Sequence, residues 1–123
     1  MHDYADAAER HFLSADAIHT EHPATASHCY GIAAECVLKA LMSNLQPQVH
    51  RVSGKHIGIS LWSEFANHQT LQTHPSRIAG AIKYQSGFNG WDIGQRYLSR
   101  MSAEFAEAKV SAQSQSARGL LGL

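Results

Sequence analysis

The chain has 123 residues, 44% of them hydrophobic and 16% charged, and its ten basic residues balance ten acidic ones. This composition excludes a disordered chain, and the length favours one domain over two. Balanced charge excludes a protein-wide field that would attract nucleic acid or an anionic membrane, so any contact with RNA would have to be local. Low charge density also leaves little repulsion between copies, which favours self-association.

The first predicted helix occupies residues 3–20, where apolar positions recur at helical spacing. Asp3 can cap its N-terminus, and Pro23 follows its end. A second helix over residues 27–42 comes after a short connection, so the two are expected to form an antiparallel αα-hairpin. Apolar residues cover most of the circumference of the second helix, which predicts a central helix packed on more than one side.

Polar residues interrupt the apolar pattern of this central helix. Glu35 and Lys39 are four residues apart with the acid first, the favourable order for a helical ion pair. We expect both to face water together with Ser43, and two interpretations stay open, a solvated pair or part of a site or interface. Cys29 and Cys36 are about 10.5 Å apart along the axis, too far for a disulfide, so both are expected to be reduced, buried thiols.

Three further helices are predicted in the rest of the chain. Ser53 can cap the third helix. The apolar face of this helix comprises Ile57, Leu61, Trp62 and Phe65. Pro75 at the first helical position opens a short fourth helix. Apolar residues at helical spacing over residues 91–113 predict a long final helix.

The domain organisation follows from these elements. Residues 1–113 are predicted to form a single domain, and the Ser- and Gln-rich residues 114–123 a flexible C-terminal tail. No stretch alternates with period two, so the sequence predicts an all-α, up-and-down bundle of four to five helices. No export signal and no apolar run near 18 residues is present, which favours a cytoplasmic protein without a membrane segment.

No metal or cofactor is predicted. None of the nine histidines falls in the helical His-x-x-x-His or Glu-x-x-His spacing that would place two ligands together, and the two cysteines lack a C-x-x-C pattern. No glycine-rich phosphate loop or nucleophile motif is present. The histidines could instead add positive charge between about pH 5 and pH 8, which would strengthen binding in mild acid.

Arg51 and His56 form an Arg-x-x-x-x-His pattern ahead of the third helix. An arginine can hold a phosphate with two hydrogen bonds while an imidazole moves protons, which is what metal-free RNA cleavage through the 2′-hydroxyl requires. The alternative is that Arg51 is solvated and His56 caps or packs the helix. The sequence favours this alternative, because two specified positions recur easily by chance.

A second candidate lies in the predicted final helix. Arg96 and Arg100 are four residues apart, so they would share a helix face beside Trp91 and Tyr97. Such a basic patch next to aromatic rings suits local binding of RNA. The alternative is that the aromatic residues belong to the core and the arginines are exposed chain ends.

Three segments of the chain resemble the HEPN superfamily of small prokaryotic helical domains. Residues 28–41, which include Ala34, Glu35, Leu38 and Lys39, are similar to its Ala-Glu-x-x-Leu-Lys-Ala-Leu signature. Residues 54–62 are similar to its His-hydrophobic-x-x-Leu segment, and Arg96 with Tyr97 completes the resemblance. The similarity covers residues 4–110.

The resemblance implies a bundle of four or five helices that commonly forms homodimers. Many members act as metal-independent ribonucleases in toxin–antitoxin or phage-defence systems, and use Arg-x(4–6)-His on a later helix with a polar residue after the arginine. Here Val52 follows Arg51 and the pattern precedes the third helix, so the resemblance favours a non-catalytic member. Members without the motif resemble RNA-binding or partner-binding modules, often beside a nucleotidyltransferase-type protein.

Three functions are therefore predicted. The first is a dimeric HEPN-like module without efficient catalysis, which binds RNA or a nucleotidyltransferase-like or antitoxin protein partner. Its expected binding residues are Glu35, Lys39, Arg96, Tyr97 and Arg100. The second is an endoribonuclease in which Arg51 holds the phosphate and His56 is the general acid and base. The third is a structural adaptor that only self-assembles.

Overall fold

The computed structural model describes residues 3–45, 56–68 and 74–123. Its α-helices are α1 (Tyr4–Ile18), α2 (Pro23–Leu45), α3 (Ile59–Ala66), α4 (Pro75–Ile82) and α5 (Glu107–Leu121). Between α4 and α5 lie three short 3-10 segments, Gln85–Phe88, Ile93–Tyr97 and Ala103–Phe105. These described ranges contain no β-strand, so the predicted all-α helical bundle is confirmed. None of their helices is both long enough and apolar enough to cross a membrane.

Helix α1 begins where the sequence predicts. The side chain of Asp3 accepts a hydrogen bond from the backbone amide of Asp6 at 3.0 Å, which is an N-cap interaction. The buried face of the helix consists of Ala8, Phe12 and Ala15. Two of these three residues are alanines, and small side chains allow the axis of α1 to approach the neighbouring helix closely.

The predicted antiparallel hairpin of α1 and α2 is confirmed by their side-chain contacts. The ring of Tyr4 at the start of α1 lies 6.0 Å from Lys39 Nζ in the second half of α2. Further along α1, the ring of Phe12 lies 5.9 Å from that of Tyr30 in the first half of α2. The partners therefore run in opposite directions along the two helices.

Helix α2 is the central element, as predicted, because it contacts α1, α3, α5 and two of the 3-10 segments. Its side chains fill the middle of the core. Those exposed by 1% or less include Ala26, Tyr30, Ala33, Ala34, Leu38 and Met42. The helix begins at Pro23, earlier than predicted, because proline is well suited to the first helical position.

The cysteines of α2 are both free thiols. Cys36 is buried and Cys29 is partly buried, and burial raises the pKa of both. For Cys36 the pKa rises to about 11, first through burial and then through the charge of Glu35. A thiol with a raised pKa has little thiolate at neutral pH and is a poor nucleophile.

The apolar face predicted for the third helix is buried, although Ile57 lies in the turn before α3. Ile57, Leu61, Trp62 and Phe65 are all buried. Helix α4 begins at Pro75, with His74 in the N-cap position. The predicted cap at Ser53 is wrong, because α3 begins only at Ile59 with Gly58 in the N-cap position. Ser53 itself lies outside the described residues.

The long final helix predicted over residues 91–113 is wrong. The chain forms 3-10 turns up to Phe105, and α5 begins only at Glu107. In this stretch Asp92 accepts a hydrogen bond from the Gly94 amide at 2.9 Å, and Ser102 accepts one from the Glu104 amide at 3.3 Å. Such local bonds hold the backbone in turns even where apolar residues recur at helical spacing.

The segment predicted to be a flexible tail, residues 114–123, instead contains the second half of α5. The buried residues of this helix are Val110, Gln113, Ala117 and Leu120. Asp16 on α1 accepts hydrogen bonds from Ser114 Oγ at 3.1 Å and from the guanidinium group of Arg118 at 3.0 Å. The Ser- and Gln-rich composition obscured an apolar stripe that continues at helical spacing.

Candidate functional site

Glu35 and Lys39 lie buried in the middle of α2, each only 6% exposed. Lys39 Nζ donates to Glu35 Oε2 at 3.0 Å, so the predicted helical ion pair is formed. The expectation that this pair faces water is wrong. Neighbouring elements cover α2 on several sides, so even its polar positions are buried. A buried charge pair is stable only when further hydrogen bonds satisfy its remaining polar atoms.

The second carboxylate oxygen of Glu35 holds the segment that leads into α3. Glu35 Oε1 accepts a hydrogen bond from the Ile57 amide at 3.1 Å and lies 3.0 Å from His56 Nδ1. A carboxylate only accepts, so the proton of this contact resides on Nδ1 and the lone pair of the neutral ring is on Nε2. The side chain of His56 is 48% exposed, so Glu35 connects a buried lysine to an imidazole that reaches the surface.

The charge of the same carboxylate acts on two more histidines. The pKa of His28 on α2 is lowered, first by burial and then by the charge of Arg96, while Glu35 acts in the opposite direction. The pKa of His11 on α1 is lowered by burial, by Arg10 and by His28, again against Glu35. We call Glu35, Lys39, His11, His28 and His56 the Glu35 cluster. It joins α1, α2 and the entry to α3.

His28 connects this cluster to the 3-10 segment that carries Arg96. Its ring stacks on the indole of Trp91 with centroids 6.2 Å apart and planes inclined by 22°. Its Nδ1 atom is buried without a hydrogen-bond partner among the described residues. The unpartnered nitrogen favours a neutral ring, which agrees with the direction of the pKa shift.

The segment around Arg96 is anchored to the start of α2. Trp91 Nε1 donates to the carbonyl oxygen of Ser27 at 2.9 Å, and Gln95 Nε2 donates to Ser27 Oγ at 2.8 Å. The indole of Trp91 lies against Gly31, where an added Cβ would come within 2.0 Å of the ring. Glycine is therefore required at this crossing, and the segment has a defined position on the bundle.

The residues that follow these contacts, 96–100, are exposed. The guanidinium carbon of Arg96 lies 4.8 Å from the centroid of the Tyr97 ring, and Tyr97 is 78% exposed. Arg100 is exposed in a turn after the 3-10 segment has ended. The prediction that Arg96 and Arg100 share a helix face is therefore wrong, since no α-helix is present there. Trp91 is buried as the core alternative required, whereas Tyr97 is not.

The structure brings only some of the predicted site residues together. Glu35, Lys39 and His56 form one hydrogen-bonded unit. The charge of Arg96 acts on His28, which is outside that unit. Arg51 lies outside the described residues.

Sequence reasoning missed His11 and His28. His28, Glu35 and Lys39 are spaced by seven and four residues, which places them on one stripe of α2 and could have identified His28. His11 gives no such signal, because its position beside the cluster depends on how α1 packs against α2.

No family model matches this chain, and no curated protein or solved structure matches it either. Within residues 3–45, 56–68 and 74–123, no three His, Cys, Asp or Glu side chains are placed to hold a metal ion. The groups that the candidate site contains are imidazoles, a carboxylate, a guanidinium group and an exposed aromatic ring.

Proposed function

We propose that the protein is an HEPN-like helical module that binds single-stranded RNA through Arg96 and Tyr97. The observation that carries this proposal is the exposed pair itself, with the guanidinium group 4.8 Å from a ring that is 78% exposed. Single-stranded nucleic acid binds where bases can stack on an aromatic face and phosphates can meet a cation. The pair supplies both, although the net charge of the protein is zero.

The anchoring of this surface supports a binding role. Two hydrogen bonds to Ser27 and the packing of Trp91 on Gly31 hold the segment in place. The segment would therefore lose little conformational entropy when it binds a ligand. Glu35 and Lys39, which the sequence assigned to the binding surface, are buried. Glu35 holds the ring of His56, and Lys39 binds the other oxygen of Glu35.

Fluorescence anisotropy with a labelled single-stranded RNA tests this proposal. Arg96→Ala and Tyr97→Ala are each expected to weaken binding about tenfold, the loss of one stacked base or one charged contact. Arg77→Ala, which removes an exposed arginine on α4, is the matched control. Binding that is absent at low salt and micromolar protein would overturn the proposal, and a co-purifying protein would favour the partner-binding alternative.

A second candidate function, metal-independent RNA cleavage, is favoured by the hydrogen bond between Glu35 and His56. A carboxylate that holds Nδ1 orients the imidazole and leaves Nε2 available as general acid or base. Incubation with RNA in EDTA tests it, with Arg51→Ala and His56→Ala as the decisive variants. Cleavage lost in both variants would support the enzyme, whereas RNA that stays intact over hours would exclude it.

We infer in addition that the module is a homodimer. Ile59 and Met101 are each 84% exposed and Leu98 is 46% exposed, and apolar side chains at such exposure are candidates for burial between copies. Light scattering coupled to size-exclusion chromatography measures the mass directly. A monomer at every concentration would contradict the dimer, and a dimer without RNA binding would favour the adaptor.

A further inference from the structure

A cavity of about 720 Å³ lies beside the candidate site, between the entry to α3 and the segment from Gln85 to Ile93. His56 is one of its lining residues, and so are Trp62 and Trp91, the two tryptophans of the chain. Further apolar lining comes from Ile57, Phe88 and Ile93. A mostly apolar cavity with a few polar groups is the usual form of a small-ligand site.

Besides His56 and Ser60, the polar side chains that line the cavity are a carboxylate and two amides. Asp92, Asn89 and Gln85 all line it. Asp92 accepts the Gly94 amide through Oδ2, which leaves Oδ1 available, since a carboxylate can accept several bonds. The amide side chains of Asn89 and Gln85 make no hydrogen bond within the part of the chain that the structure describes. No lysine or arginine among the described residues lines the cavity.

We propose that this cavity binds a guanine base, either of a free nucleotide or of an RNA chain. Guanine presents two N–H donors side by side, at N1 and N2, which match a carboxylate acceptor such as Asp92. Its O6 and N7 atoms are acceptors, which match the amide donors of Asn89 and Gln85. Adenine would turn its N1 acceptor toward the carboxylate, and this repulsion selects against it. The apolar wall receives the faces of the base.

This proposal deepens the RNA-binding function and rests on it for the RNA form of the ligand. Trp91 lines the cavity and also stacks on His28, whose pKa is lowered first by burial and then by the charge of Arg96. The base site and the exposed pair of Arg96 and Tyr97 are thus on adjoining parts of the molecule. His56 lines the cavity and is exposed, so it can contact the sugar or phosphate of a bound nucleotide.

Intrinsic fluorescence measures binding directly, because both tryptophans line the cavity. We expect saturable quenching by GMP, with AMP, CMP and UMP at least about tenfold weaker, the discrimination of one good two-bond contact. N-acetyltryptophanamide titrated in parallel corrects for light absorbed by the nucleotide. Quenching that is equal for all four nucleotides, or that does not saturate, would overturn the proposal.

Asp92→Asn is the decisive variant, because asparagine is an equally good N-cap and preserves the turn at Gly94. We expect it to lose the preference for GMP over AMP while its thermal melting stays unchanged. Asp6→Asn, an exposed carboxylate on α1, is the matched control and should keep the preference. An Asp92→Asn variant that still prefers GMP would contradict the proposed contact.

The two proposals fail in distinguishable ways. If the cavity proposal alone is wrong, RNA still binds and still requires Arg96, but GMP is not preferred. If the RNA-binding proposal alone is wrong, GMP quenches fluorescence in the wild-type protein although labelled RNA does not bind.

Discussion

Two carboxylates in this bundle each accept hydrogen bonds from three described residues, and they differ in what those bonds connect. Asp16 on α1 receives Tyr30, Ser114 and Arg118, so it joins three helices. Its side chain is 30% exposed, and Arg118 is 69% exposed. We call these four residues the Asp16 network. Each of its bonds connects one helix of the bundle to another, as expected of a network that holds the fold together.

Glu35 differs from Asp16 in burial and in its partners. Its side chain is 8% exposed, and so is that of Lys39, which donates to it. The other carboxylate oxygen binds the entry to α3 and a half-exposed imidazole. A buried charge pair is costly unless it is fully hydrogen-bonded. Because the bonds of Glu35 lead to a solvent-accessible histidine, they suit a functional site better than a purely structural network.

The largest expected effect comes from Glu35→Ala. It leaves Lys39 as a buried charge without its partner and removes the acceptor of the Ile57 amide, so we expect a loss of about 3–5 kcal/mol. Glu35→Gln keeps an acceptor for that amide and should lose less. Urea unfolding measures both, and a loss below about 1 kcal/mol for Glu35→Ala would contradict the role of the buried pair.

The next effect in size is expected from Asp16→Ala. It removes the acceptor of the Tyr30 hydroxyl and of two side chains on α5, for a loss of about 1–3 kcal/mol. Amides of α5 after Ser114 should exchange with deuterium faster than in the wild type. Glu21→Ala, an exposed carboxylate in the hairpin turn, is the control. Unchanged exchange in α5 would show that the network does not hold this helix.

The two regions should also lose stability at opposite ends of the pH scale. The pKa values of His11 and His28 are lowered from 6.5 by burial, so the unfolded chain binds more protons and stability falls as the pH drops below 6.5. Burial first, and then the bond to Asp16, raises the pKa of Tyr30 from 10.0 to about 12, so stability falls as the pH rises above 10. Cys36, with a pKa of about 11, acts in the same direction.

Unfolding midpoints measured across the pH range test this contrast. His28→Gln should flatten the acid side and leave the alkaline side unchanged. Tyr30→Phe should flatten part of the alkaline side, with the contribution of Cys36 remaining. If either variant changed the opposite side instead, the assignment of the two regions would be wrong.

The smallest effect on stability is expected from His56→Ala. The side chain is about half exposed, so we expect less than about 1 kcal/mol, within the usual range for surface positions. RNA binding or cleavage should nevertheless fall, because the free Nε2 atom is lost. His74→Ala, which removes an exposed N-cap histidine that makes no side-chain cap bond, is the control. A His56→Ala variant with lower stability but unchanged function would identify His56 as purely structural.

Local sequence was sufficient to predict much of the fold. The cap at Asp3, the start of α4 at Pro75 and the apolar face of α3 were all predicted, because caps and periodicity depend only on near neighbours. The last third of the chain was not predicted. There, side-chain bonds of Asp92 and Ser102 compete with the helix, and sequence patterns do not reveal which of the two prevails.

Individual residues of the candidate site were predicted, but not their arrangement. The spacing of Glu35 and Lys39 predicted their ion pair, and His56 was selected for a different reason, its distance from Arg51. That His56 belongs with Glu35 follows from a contact between residues 21 positions apart. His11 reaches the same cluster through the packing of α1 on α2, which no local pattern describes.

The helical character of this chain and the position of its central helix thus follow from residue spacing alone, because a helix places every third or fourth side chain on one face. Which face is covered was decided by the tertiary structure. In the tertiary structure Glu35 and Lys39, which were expected at the surface, form a buried pair. The expected tail is part of α5, and Arg96 and Tyr97 are exposed. Burial depends on which elements pack together, and that is a property of the whole chain.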